Sequence, residues 1–224
     1  MLLVLGFVGA LWGISLALCQ RDMKRVLAYS SIENMGIITA GLGLAFWRAG
    51  RGDVLLATLG AAGALLHVWN HAAMKGLMFL SAGSVLHGSG TRDMERMGGL
   101  MKNMPRTGVL MVVGAVAIAG LPPLNAFVSE WLVYLGLMGG QVGHPGGVNV
   151  VPLFGVGVLA FIGGLAALCF VRFTGAVLLG EARSDAARHA HESSLGMLAP
   201  MAILAVAVVA MGIFPGVLLR LFTP

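Results

Sequence analysis

Six apolar stretches fill most of this 224-residue chain, at residues 2–19, 26–47, 54–86, 107–140, 152–171 and 195–219. A membrane crossing takes roughly 20 apolar residues to span about 30 Å of hydrocarbon. Hydrocarbon offers no partner to an open backbone group, so each stretch must be helical. The predicted fold class is therefore all-α integral membrane, with six transmembrane helices in a single domain over residues 1–224. Composition agrees, since only 10% of the residues are charged, against about 25% in a soluble domain. Mean hydropathy is +0.92. These values exclude a water-soluble enzyme, a disordered chain and a nucleic-acid binder. A pI near 9.9 does not restore nucleic-acid binding, because the basic residues sit between apolar runs rather than along one face. Cys19 and Cys169 are far apart and form neither a disulfide framework nor a zinc ribbon. The 34 glycines suit close helix packing in lipid. The first stretch lacks a basic leader and a small-residue cleavage site, so it does not read as a signal peptide.

The loops between the spans are unequal in charge. Those after the first, third and fifth spans hold ten basic residues: Arg21, Lys24, Arg25, Arg92, Arg96, Lys102, Arg106, Arg172, Arg183 and Arg188. The opposite side holds three, Arg48, Arg51 and Arg220. By the positive-inside rule the odd loops are cytoplasmic and both termini lie outside.

Two stretches exceed one crossing. Residues 54–86 would span about 50 Å as a helix, and Gly60 and Gly63 are where a bend is expected. Residues 107–140 contain Pro122 and Pro123, which remove backbone donors and end a helix. Half-helices over 107–121 and 126–140 follow, with a hydrated pocket at the break. Broken helices at membrane depth persist only against protein or water, and transporters build ion sites from them.

A charge at mid-bilayer costs at least about 2.5 kcal/mol on insertion scales, so ionisable residues inside spans are functional candidates. His67, His71 and Lys75 recur every four residues and climb one helix face in steps of about 6 Å. That spacing suits a bridging water, and histidine titrates near neutrality. A proton relay is the favoured reading. The alternative has the histidines bonding buried carbonyls and Lys75 reaching the interface, which its apolar neighbours make awkward. Zinc is a second rival, but the segment has no HExxH glutamate and no nearby carboxylate or cysteine. Glu130 lies early in the second half-helix, where burial and the helix dipole act on its charge in opposite senses. A plain N-terminal carboxylate at the membrane border is the alternative. Glu33 is either an entry group or the partner of a neighbouring cation. Lys24 belongs to a basic turn that sets topology, and it can also face the bundle. Residues 181–192, with His189 and His191, read as a solvated loop. No phosphate loop, dinucleotide fingerprint or nucleophilic triad occurs, so no catalytic centre is expected in this chain.

The segments Gln20-Arg21-Asp22-Met23-Lys24-Arg25-Val26-Leu27-Ala28-Tyr29-Ser30-Ser31, the His67/His71/Lys75 ladder, Met97-Gly98-Gly99-Leu100 and Leu121-Pro122-Pro123-Leu124-Asn125-Ala126-Phe127-Val128-Ser129-Glu130 occur in that order. Together they resemble the antiporter-like membrane subunits shared by respiratory complex I, Mrp-type cation/proton antiporters and membrane-bound NiFe hydrogenases. Ser31-Ile32-Glu33-Asn34-Met35-Gly36 and Val128-Ser129-Glu130-Trp131 resemble the formate hydrogenlyase and hydrogenase-4 branch.

The resemblance implies a fold of two inverted five-helix repeats, each with a broken helix, of which this chain matches the C-terminal repeat plus a final helix. A fragment of a longer subunit is expected, with the N-terminal repeat absent. The implied activity is movement of protons through a water-wire path of His67, His71, Lys75, Glu130, Lys24 and Glu33. The implied partners are other membrane subunits, a peripheral hydrogenase or redox arm, the lipid bilayer, and protons or sodium ions, with no nucleic acid. The NiFe centre and iron-sulfur clusters are expected in partner subunits. The implied location is the inner membrane of a bacterium or archaeon. Two other readings stand beside this one: a subunit of a cation/proton antiporter or complex I, and a scaffold that anchors a hydrogenase module without transport.

Overall fold

A computed structural model describes residues 1–139 and 150–216. It is helical throughout, with α1 (Leu2–Leu18), α2 (Met23–Ala49), α3 (Val54–Ser89), α4 (Leu100–Asn103), α5 (Pro105–Ile118), α6 (Asn125–Met138), α7 (Val150–Leu178), α8 (Asp185–Arg188) and α9 (Leu195–Ile213). Among the described residues the only β pairing is an isolated bridge between Asp22 and Asp93. Each apolar stretch folds as helix, although Gly140 and residues 217–219 lie outside the described residues. Three helices, α3, α7 and α9, are long and apolar enough by themselves to cross a membrane, and α1 and α5 are shorter apolar helices. In α2 the run Tyr29, Ser30, Ser31, Glu33 and Asn34 interrupts the apolar character, and Ser30, Glu33 and Asn34 are buried.

The expected break is present. α5 ends at Ile118 and α6 begins at Asn125. Gly120 takes a φ of +64°, a left-handed turn that favours glycine. The expected bend is not marked by any interruption, because α3 runs as one helix through Gly60 and Gly63. Those glycines bring backbones together instead. A Cβ on Gly60 would sit 3.0 Å from Gly41 O of α2, and one on Gly63 would sit 2.9 Å from Ser129 O of α6.

Glycine also sets the α1–α2 contact. A Cβ on Gly6 would lie 2.3 Å from Ala40 N, and one on Gly36 would lie 2.4 Å from Ala10 N. Gly13 approaches Glu33 N in the same way, at 2.5 Å. Lipid supplies no hydrophobic drive between helices, so such close packing carries much of the association.

The loops after α1, α3 and α7 are joined at one end of the bundle, as their shared basic character predicts. Met23 N donates to Arg92 O at 3.0 Å, and Met94 N to Arg21 O at 2.9 Å. Gly99 N donates to Leu179 O at 2.9 Å, and Arg172 Nη1 to Leu18 O at 2.6 Å. Lys102 beside Glu181, at 2.9 Å, holds that carboxyl below its usual range. Both side chains are exposed, so the pair contributes little.

Gly36→Leu should lower the unfolding midpoint in detergent, by an overpacking cost of about 1–3 kcal/mol or more, because the obstructing atoms are backbone. Gly9→Ala, with nothing within 4 Å of the added carbon, should leave the midpoint unchanged. Equal midpoints for the two variants would contradict this packing.

Candidate proton-pathway site at the broken helix

A helix that stops inside hydrocarbon leaves carbonyls and amides without partners. At the end of α5 the chain meets this need itself, since Ala119 N donates to Ala115 O at 3.1 Å, Leu121 N to Val116 O at 3.3 Å and Gly120 N to Ala117 O at 3.1 Å. Asn70 of α3 donates from Nδ2 to Asn125 O at 2.7 Å, and Asn125 Nδ2 donates back to Asn70 O at 3.2 Å. Leu124 N donates to Leu121 O at 3.1 Å. Gly212 of α9 covers the far side, so closely that a Cβ there would lie 2.2 Å from Pro123 O. Side chains and backbone of α3 and α9 thus meet the break.

The Asn70 amide continues into a larger network. It also donates to Ser129 Oγ at 2.9 Å. His67 Nδ1 lies 2.8 Å from the same Ser129 Oγ, and His67 Nε2 lies 2.9 Å from Asn34 Oδ1 of α2. Asn34 Nδ2 donates to Ser30 O at 2.7 Å and reaches Glu33 Oε2 at 3.4 Å. One buried chain thus joins α2, α3 and α6 through His67, which has no exposed surface.

Lys75 is 6% exposed. Its Nζ donates to Leu27 O at 2.6 Å and to Ser30 Oγ at 2.5 Å. Both ligands are neutral, and among the described residues no carboxylate lies within ion-pair distance of Nζ. Glu33 is buried, and among the described residues no cation lies at ion-pair distance from it, although the Lys75 charge acts on it. The Lys75 ammonium is thus bound directly by neutral dipoles, with the Glu33 charge acting on it from beyond ion-pair distance.

The remaining predicted residues are less embedded. Glu130 is half-buried, and its carboxylate packs on Gly120 at the break, where a Cβ would meet Oε2 at 2.7 Å. No hydrogen bond reaches that carboxylate among the described residues. His71 is half-buried, and its Nε2 is a buried atom without a partner. Lys24 is half-buried at the first turn of α2. Its backbone N donates to Asp22 Oδ1 at 2.8 Å. The structure thus joins His67, Lys75 and Glu33 through Ser30 and Asn34, and it leaves His71, Glu130 and Lys24 outside that chain of hydrogen bonds. The rungs of the ladder do not bond one another. The partners of His67 and Lys75 come from α2 and α6.

Five uncharged polar residues, which a reading for ionisable groups passes over, complete the site: Ser30, Asn34, Asn70, Asn125 and Ser129. All five are fully or almost fully buried. Their signal was uncharged polarity inside apolar stretches, and Asn70 stands one turn from His67. Two charged residues also take unexpected roles. Arg48, counted as a loop cation, is 1% exposed and donates to Gly136 O and Leu137 O at 3.4 and 3.3 Å. Glu192, assigned to a solvated loop, accepts from Arg106 N at 2.8 Å and from Thr107 Oγ1 at 2.6 Å. A cation therefore meets the C-terminal carbonyls of α6, and an anion meets the N-terminal amides of α5. Each complements the helix dipole at an outer end of the broken helix.

The family described as NADH:quinone oxidoreductase/Mrp antiporter, transmembrane, matches residues 1–144. The chain belongs to this family. It is 39% identical to hydrogenase-4 component B of Escherichia coli over 205 residues, covering 92% of this chain and 30% of that one. It is 38% identical to formate hydrogenlyase subunit 3 of the same organism, covering 95% of this chain and 35% of that one. A chain in the structure of an archaeal membrane-bound sulfane sulfur reductase, a respiratory membrane complex, superposes with a TM-score of 0.78 at 28% identity, covering 94% of this chain and 31% of that chain. The chain spans about a third of the length of these relatives. It is thus an antiporter-like membrane-subunit fold, and the polar chain centred on His67 runs beside the break between α5 and α6.

Asn70→Leu should destabilise the protein by about 1–3 kcal/mol, because it removes two buried hydrogen bonds, to Asn125 O and to Ser129 Oγ. Thr58→Val removes an exposed bond to Val54 O and should stay within about 0.5 kcal/mol. Denaturation in detergent compares the two, and a neutral Asn70→Leu would contradict the bridging role.

Proposed function

We propose that this chain is a proton-translocating, antiporter-like membrane subunit of a hydrogenase or formate hydrogenlyase-type redox complex. The observation that carries the reading is Lys75, a lysine buried against neutral oxygens and linked through Ser30 and Asn34 to His67. A lysine kept in such a place without an ion partner costs stability, and proton exchange gives a reason to keep it. Three unpartnered buried atoms, His71 Nε2, Asn70 Oδ1 and Asn125 Oδ1, mark where water would extend the chain toward Glu130. The similarity to hydrogenase-4 component B and formate hydrogenlyase subunit 3 supports the hydrogenase branch over the sodium or proton antiporters.

The NiFe centre and iron-sulfur clusters of such a complex would belong to partner subunits. Among the described residues no group of three His, Cys, Asp or Glu could hold a metal, and Cys19 is exposed while Cys169 is buried. This chain's own part is to hold and pass protons at Lys75, His67 and Glu130, with Lys24 and Glu33 toward the basic end. That end would face the cytoplasm, with both termini outside, in the inner membrane of a bacterium or archaeon.

In the assembled complex, Lys75→Ala should reduce redox-driven proton movement by at least about tenfold while hydrogenase turnover persists. Glu130→Gln should lose coupling with little loss of stability. His71→Ala should be milder, since water can take the place of one rung of the ladder. Wild-type proton movement in Lys75→Ala would defeat the pathway and leave the scaffold reading.

Orientation has its own test. Single cysteines at Arg51 and Glu181, in a chain with Cys19 and Cys169 replaced by alanine, should be labelled from outside and from the cytoplasm respectively. Labelling of both from one side would overturn the topology.

A further inference from the structure

His67 sits between two side chains that leave it one open choice. Asn34 donates from Nδ2 to Ser30 O at 2.7 Å, which aims its carbonyl oxygen at His67 Nε2, 2.9 Å away. An amide oxygen only accepts. While this contact holds, Nε2 carries a hydrogen, and the proton that His67 gains or loses is the one on Nδ1.

Nδ1 is served by Ser129, whose hydroxyl has one proton and three neighbours. Asn70 Nδ2 donates to Oγ at 2.9 Å. Ala126 O, one turn back in α6, lies 2.9 Å from Oγ and is an acceptor. His67 Nδ1 lies at 2.8 Å. With Nδ1 bare, the hydroxyl donates to the ring. With Nδ1 protonated, the ring donates to Oγ, and the hydroxyl turns its own proton onto Ala126 O. Every donor has an acceptor in both states, and the two acceptors are almost equally distant. The ring gains one proton and one positive charge, and the hydroxyl keeps its proton throughout.

We infer that Ser129 is a positioning residue that converts protonation of His67 on α3 into a hydrogen-bond change in the first turns of α6, next to Glu130. Asn34 is the lock that makes Nδ1 the exchanging nitrogen. The inference rests on the proton-path reading above and gives it a mechanical step at the broken helix. The titratable groups around His67 are Glu33 on α2, His71 and Lys75 on α3, and Glu130 on α6. α9 contributes none, and the only one on α5 is Arg106 at its far end.

The test is nitrogen NMR on the full chain in bilayers, labelled with 15N-histidine, with His67 assigned against His67→Gln. Neutral His67 should be the Nε2–H form with a hydrogen-bonded Nδ1. Ser129→Ala should move the Nδ1 signal toward that of unbonded imidazole, Ser129→Thr should restore it, and Asn34→Leu should mix the tautomers. An Nδ1–H form in the unmodified protein overturns the inference, and so does an unmoved Nδ1 signal in Ser129→Ala. If Ser129→Ala does not fold, the tautomer of the unmodified protein decides alone. In the assembled complex, Ser129→Ala should reduce proton movement about tenfold while Ser129→Thr keeps it. Unchanged proton movement in Ser129→Ala overturns the coupling role. Failure of Lys75→Ala to change that movement would instead defeat the pathway itself, and the tautomer measurement stands apart from both.

Discussion

A helix can stop inside hydrocarbon only where something other than lipid satisfies its open backbone. Much of this structure answers that demand. The prolines at 122 and 123 end one half-helix, the turn through Gly120 meets its last carbonyls, and Asn70 of α3 bridges to Asn125 O at the start of the other half. Asn70 is tied to the first residue of α6 and also touches Ser129, so the bridge between α3 and α6 and the polar chain are one network. His67 is held by that network beside the break.

The close helix packing serves the same end. Gly63 lets α3 lie against Ser129 O, and Gly212 lets α9 lie against Pro123 O. A side chain at either position would push a helix away from the break and open its polar groups to lipid. Gly6, Gly13 and Gly36 place α1 against α2 at backbone distance, which fixes the helix that carries Ser30, Glu33 and Asn34. Buried polar networks reward this rigidity, because a half-satisfied network in a low-dielectric interior is worse than none.

The two half-helices are held at their outer ends by charges of opposite sign. Glu192 meets the first amides of α5, whose own N-cap residue Met104 offers no side-chain bond. Arg48 meets the last carbonyls of α6. Both act with the helix dipole. With the ends held, the section of the broken helix with the fewest backbone bonds is its middle, where Glu130 rests on Gly120.

The sequence by itself determined the membrane class, the helical stretches, the break at Pro122 and Pro123, and the gathering of the odd loops at one end. Apolar run length, proline and charge distribution are local properties, and lipid turns them into structure with few alternatives. It also marked His67, Lys75 and Glu33 as exceptional, because an ionisable residue in an apolar run is costly wherever it lands. Only the tertiary structure decided what those residues touch. The ladder spacing suggested rungs linked along α3, yet the partners of His67 come from α2 and α6. Asn34, Asn70 and Ser129 are unremarkable in a linear reading, since an uncharged polar residue costs little unless it is buried. Arg48 and Glu192 read as loop charges because the helix ends they complement are 88 and 86 residues away in the chain. Side-chain partners across helices depend on rotation and depth, and these are set by glycine contacts that no local pattern encodes.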